Sequence, residues 1–125
     1  MAPQPTDHRE AYQRAAVLTA SQGQLIVMLY DGASRYLNQA AIALQERQVE
    51  QAHNKLRRAE MIISHLQASI DFDNGGEIAP RLHAIYAFCI RHLNQARVSA
   101  SPTHIEEVRG LLRTLRDAWA QVADT

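Results

Sequence analysis

Chemistry in this chain would have to come from a few histidines, a single cysteine and the carboxylates near them. Glu50-Gln-Ala-His53 has the Glu-x-x-His form that puts a carboxylate and an imidazole on one helix face, half of a di-metal carboxylate centre. A full centre needs a second such pair and two further inward glutamates, and none stands on the apolar stripes, so a solvated polar face is the better reading. His65-Leu-Gln-Ala-Ser69 surrounds an imidazole with small residues, as a histidine phosphotransfer helix does, but no lysine stands beside His65 to balance phosphate charge. His83 and His92 fall at the surface or boundary of a helical pattern. Cys89 lies in the apolar run from Ala84 to Ile90 without a second cysteine, and reads as a small buried hydrophobe rather than a reactive thiol. There is no Gly-rich phosphate loop, no nucleophile elbow and no Cys/His zinc cluster. The expectation is a chain that is not an enzyme and that binds no cofactor and no metal.

What the sequence does carry is surplus apolar surface. Between Ser21 and Leu37, residues Leu25, Met28, Leu29, Gly32, Ala33 and Tyr36 share one helix face, while Ile26, Tyr30, Ala33 and Leu37 trace a second apolar line beside it. A helix that only closes a small core needs one stripe. Tyr86 and Ile90 show a similar excess further along. Periodicity alone supports two readings equally: broad core contacts of a helix that touches two neighbours, or a groove that accepts an apolar helix from a partner.

These residues must be positioned by helices. Residues 1–6, with Pro3 and Pro5, form a tail without periodicity, and residues 7–125 are expected to make a single helical domain. Asp7 with Glu10 has the form of a capping box and starts a short helix over 8–18. Ser21 with Gln24 starts a long one over 22–47, in which Asp31 and Arg35 stand at i, i+4. A third, over 49–70, steps through Val49, Ala52, Leu56, Ala59, Ile63, Leu66 and Ile70. Asn74-Gly75-Gly76 breaks the chain into a turn. A helix over 77–99 follows, with Pro80 in its first turn and a core line of Ile78, Leu82, Ile85, Cys89, Leu93 and Ala96. The last helix, over 103–122, is led by Thr103 and Glu106 and steps through Ile105, Val108, Leu112, Leu115, Trp119 and Val122. Long amphipathic helices, short links and no strand signal predict an all-α protein: an antiparallel up-down-up-down four-helix bundle with a short extra N-terminal helix.

Composition narrows the function classes. Thirteen Lys+Arg balance thirteen Asp+Glu, leaving no field to gather nucleic acid or anionic lipid. No apolar run approaches the roughly 20 residues that span a bilayer, which argues against membrane insertion. The start, Met-Ala-Pro-Gln-Pro-Thr-Asp-His, does not have the form of a signal peptide, so a cytoplasmic location is expected.

Several motifs, taken together and in order, carry a family resemblance. Tyr12, Val17-Leu18-Thr19-Ala20-Ser21 and Gln24 through Gly32 come first; Gly75-Gly76-Glu77-Ile78-Ala79, Leu82 through Tyr86, Ile105 through Val108, Leu111-Leu112 and Ala118-Trp119 follow. From Tyr12 to Trp119 the chain resembles the flagellar secretion chaperones dedicated to flagellin, with Gln22 where that family often has proline. The resemblance implies a cytoplasmic chaperone that binds the disordered C-terminal segment of flagellin, prevents premature filament assembly and helps deliver the subunit to the flagellar type III export gate. Partner contact is then expected at Tyr12 on the short helix, at Leu25, Ile26, Leu29 and Tyr30 on the first long helix, and at Ile62, Leu66 and Ser69 on the second. Within the opening stretch, Met28 and Leu29 are assigned mainly to the core, Ile26 and Tyr30 mainly to the partner, and Gly32 to close helix approach. Two alternatives remain beside it: a homodimeric helical scaffold, and phosphotransfer through His65.

Overall fold

The structure is a computed structural model and describes residues 22–123. Four helices run α1 (Gln22–Gln45), α2 (Val49–Ala68), α3 (Ile78–Ser99) and α4 (Pro102–Ala123). The short helix expected over 8–18, with Tyr12, lies outside the described residues. Consecutive helices pack side by side and α4 closes back on α1, giving the antiparallel bundle, with α1 seated most intimately against α2 and α4.

Each helix ends for a local reason. At the end of α1, Arg47 takes a left-handed backbone (φ 61°) while Gln48 N–H donates to Ala43 O at 2.8 Å and Arg47 N–H to Leu44 O at 3.1 Å. This Schellman closure stops the helix two residues before the expected 47. α3 closes similarly, with Ala100 left-handed (φ 53°) and both the Ala100 and Ser101 N–H groups directed at Ala96 O. Pro102 opens α4 one residue earlier than expected, since proline suits a first turn whose N–H groups lack helical partners. Glu106 does not complete the expected capping box; its carboxylate accepts from Arg109 Nη1 at 2.9 and 3.0 Å.

The connection from α2 to α3 is built on Asp71. Its Oδ1 accepts the backbone N–H of Asp73 and of Asn74, each at 3.1 Å, and its Oδ2 accepts Asn74 Nδ2 at 2.8 Å. Those bonds, the Asn74 side chain first, hold the Asp71 carboxyl below the usual carboxylate range. Gly75 is required here, because a Cβ would stand 2.6 Å from Asp71 O and 2.8 Å from Ala79 Cβ, and Gly76 turns the chain with φ 54°.

The core reverses part of the expected facing of α1. Tyr30, Ala33, Leu37 and Ala40 are wholly buried, so the second apolar line lies deepest, while Leu29 and Tyr36 of the first pack partly buried against the core. Met28 and Leu29, assigned to the core, are half-buried. Asp31 does not pair with Arg35; it accepts from Arg116 Nε of α4 at 3.0 Å. Gly32 is not needed for close approach, since an added Cβ would meet Ile62 Cδ1 at an ordinary 3.5 Å. Gly23 has that role, as its Cβ would come within 3.0 Å of Ala123 Cβ. On α3 the inward line at the start of the helix is Ala79 and Tyr86, while Ile78 is 64% exposed.

Candidate functional site

The buried layers do not extend the full length of the helices. No residue of α1 before Tyr30 is buried, and none of α4 after Leu112. Antiparallel topology brings the start of α1, the end of α2, the start of α3 and the end of α4 to the same end of the bundle, and there the helices enclose a cleft of about 700 Å³. Ile26 of α1, Leu66 of α2, Ala79 and Leu82 of α3 and Trp119 of α4 form its apolar walls, and Ile70, Ile78 and Val122 stand toward its mouth. Asp71 is the one charged residue among its described lining, and Asn74 and Ser69 complete a polar rim. Ser69 Oγ donates to Leu66 O at 2.9 Å and so helps finish α2.

At the inner limit of the cleft the Tyr30 and Tyr86 hydroxyls are hydrogen-bonded to one another across α1 and α3. Burial pushes the Tyr30 phenol far above its ordinary range, with the Tyr86 bond adding to the shift and the Trp119 indole N–H opposing it. The Tyr86 phenol is also raised by burial. Cys89 lies beside this pair, wholly buried, its thiol pushed up to about 11 by desolvation. A thiol so placed is no nucleophile at neutral pH.

The residues expected at a partner surface divide. Ile26, Leu66 and Ser69 line the cleft. Tyr30 is a correction: it is fully buried and belongs to the core. Leu25, Leu29 and Ile62 are half-buried elsewhere along α1 and α2, and Tyr12 is outside the described residues. Missing from the expected set are Ile70, Ile78, Leu82, Tyr86, Trp119 and Val122. The usable signal was positional: Ile70, Ile78 and Val122 are apolar residues at helix ends that antiparallel topology gathers together.

Polar and cationic contacts tie neighbouring helices away from the cleft. Lys55 and Arg58 of α2 lie 5.7 Å from the centre of the Tyr36 ring of α1. Glu60 of α2 accepts from Arg97 Nη2 of α3 through both oxygens at 2.9 Å. His92 of α3 is bonded to Glu107 of α4. His65 is exposed on α2, and no group of three His, Cys, Asp or Glu among the described residues is arranged to hold a metal. No helix among those residues is long and apolar enough to cross a membrane.

A helical bundle with an apolar cleft at one end, and no catalytic constellation among its described residues, has the form of a binding protein. The profile of the flagellar protein FliS family matches residues 5–125. The flagellar secretion chaperone FliS of Salmonella typhimurium is 41% identical over 110 residues, covering 87% of this chain and 82% of that one. The Bacillus subtilis chaperone of the same name is 32% identical over 111 residues, covering 89% and 82%. In fold, the chain superposes on a crystal structure of a flagellar chaperone from bacteria with a TM-score of 0.77 at 15% identity, covering 94% and 98%. The chain belongs to the FliS family of flagellar secretion chaperones, a family of chaperones and not of enzymes.

Proposed function

We propose that the protein is a cytoplasmic export chaperone that binds the disordered C-terminal segment of flagellin, prevents its premature polymerisation and helps deliver it to a component of the flagellar type III export gate. The observation that supports this is the four-walled apolar cleft at one end of a bundle that belongs to a secretion-chaperone family. A segment that is unfolded when free and forms an amphipathic helix when bound matches such a cleft: its apolar face leaves water, at about 25 cal/mol per Å², against the cost of ordering it. Covering that face removes the surface through which copies of the segment would associate.

Calorimetry with a peptide of the flagellin C-terminal segment tests the reading. Saturable binding at tens of micromolar or tighter is expected. Absence of heat at that concentration sinks the proposal, because even millimolar affinity corresponds to only about −4 kcal/mol. Ile26→Asp should abolish that binding while the thermal melt stays cooperative, since Ile26 is half-buried in the cleft wall.

A further inference from the structure

Asn74 alone among the chain's asparagines is followed by glycine; Asn38, Asn54 and Asn94 stand inside helices before Gln or Lys. An Asn-Gly step is where a polypeptide loses side-chain ammonia most readily, because glycine brings its amide nitrogen to the carboxamide without a side chain in the way. That reaction needs Gly75 N and Asn74 Cγ to meet, and Asp71 engages both groups. Gly75 N–H donates to Asp71 O at 2.9 Å, and Asn74 Nδ2 donates to Asp71 Oδ2 at 2.8 Å. A carboxylate can only accept, so the carboxamide is held by its nitrogen, the group that would leave. Asp71 Oδ1 also takes the N–H groups of Asp73 and Asn74, so one residue closes the whole turn. Asp71 and Asn74 are exposed, and these bonds can open while the helices stay packed.

We propose that Asn74 is a site of spontaneous deamidation and that Asp71 is the latch that governs its rate. When the turn opens, Gly75 N gives its proton to water and attacks Asn74 Cγ. The new C–N bond closes a succinimide as the Cγ–Nδ2 bond breaks, and Nδ2 takes a proton from water and leaves as ammonia. Water then opens the ring at either carbonyl and leaves aspartate or isoaspartate at position 74, with nothing oxidised or reduced. Neither product fits the closed turn. Both put a carboxylate where an amide donor faced Asp71 Oδ2, so two anions stand side by side. Isoaspartate also lengthens the main chain by one carbon beside Gly75, where even a Cβ would stand 2.6 Å from Asp71 O. Asp71, Asn74 and Gly75 all line the cleft, so the reaction changes its rim for good. The modification is independent of the chaperone reading; its effect on partner binding rests on that reading.

The test is timed incubation of the full chain at neutral pH, read by peptide mass mapping and by labelling with an isoaspartyl methyltransferase. A synthetic peptide of residues 70–77 gives the rate without the folded turn. Wild type should convert at Asn74, and not at Asn38, Asn54 or Asn94, about tenfold more slowly than the peptide. Asp71→Asn keeps an oxygen for the backbone N–H groups but cannot hold the carboxamide as a carboxylate does, and should convert about threefold or more faster than wild type. A wild-type rate more than about a hundredfold below that of the peptide overturns the site, and equal rates overturn the latch. Asp71→Asn at the wild-type rate also overturns the latch; should that variant fail to fold, the ratio of wild type to peptide decides. In calorimetry with a peptide of the flagellin C-terminal segment, the converted chain, separated by ion exchange, should bind about three- to tenfold more weakly than unconverted chain. Equal binding by the two overturns the effect on the cleft and leaves the chaperone reading standing. Absence of binding by either overturns that reading and the effect with it, while the conversion at Asn74 stands on its own mass and label.

Discussion

The two ends of the bundle are made differently. At the end that carries the α1–α2 and α3–α4 turns, small side chains fill the space between the helices: Ala40, Ala43, Ala52 and Ala96 are all buried, with Leu37, Leu56 and Leu93 between them. At the opposite end the helices continue past the last buried layer, and Ile78 and Val122 stand about two-thirds exposed at the mouth of a cleft. The turns differ in the same sense. Arg47 and Ala100 accept left-handed backbone at the closed end without glycine, where the packed helices on either side hold them, while the open end relies on Gly75 and Gly76. Helix length and core length are thus separate quantities, and the surplus apolar surface of this chain is an overhang at one end more than a stripe along one side.

Truncation separates the ends most sharply. Leu93→Ala at the closed end should cost about 2–5 kcal/mol in a urea titration, while Ile78→Ala at the open end should cost under about 0.5 kcal/mol. Comparable losses would mean that the open end is packed in solution. Next in size is a pH effect at the layer that divides the two ends. The folded Cys89 thiol titrates near 11 against about 9 unfolded, so the unfolded chain ionises first as pH rises. The stability that Cys89 contributes is fully present below about pH 9 and is lost between there and about 11, some 2–3 kcal/mol, and the raised Tyr30 and Tyr86 phenols extend the loss to higher pH. Denaturant midpoints measured from pH 8 to 11 should fall accordingly; Cys89→Ala should remove the lower part of the slope.

Glycine substitutions give the smaller contrasts. Gly75→Ala must displace the backbone oxygen of Asp71 and should cost about 1–3 kcal/mol, loosening the rim of the cleft. Gly32→Ala meets only ordinary contact and should stabilise α1 by about 0.5–1 kcal/mol in thermal melts, without changing peptide affinity because Gly32 is remote from the cleft lining.

Much of the architecture was legible in the primary structure because each helix carries its own start and stop chemistry. The observed helices begin and end within two residues of the expected positions, and the Asp71–Gly76 break falls where the glycines place it. The candidate site was less legible. Ile26, Leu66 and Ser69, named from the sequence, line the cleft at the ends of α1 and α2, whereas the α3 and α4 lining was not named because Ile78, Leu82, Trp119 and Val122 stand on the apolar stripes assigned to the core. Tyr30 was misplaced for a related reason. Two apolar lines about 100° apart around α1 are equally periodic, and periodicity carries no information about which of them faces the neighbours.

The order of apolar and polar residues by itself therefore determined the helical class, the helix ends and the lack of a complete catalytic or metal-binding motif, since capping, turn formation and amphipathicity are local properties of the chain. The rotation of α1 about its axis, the cross-helix pairing of Asp31 with Arg116 and the hydrogen bond between Tyr30 and Tyr86 were decided only by tertiary structure. So was the place where the core stops. Each depends on how far neighbouring helices approach, and that distance is set by small residues such as Gly23 and Ala123 that meet only after the chain has folded.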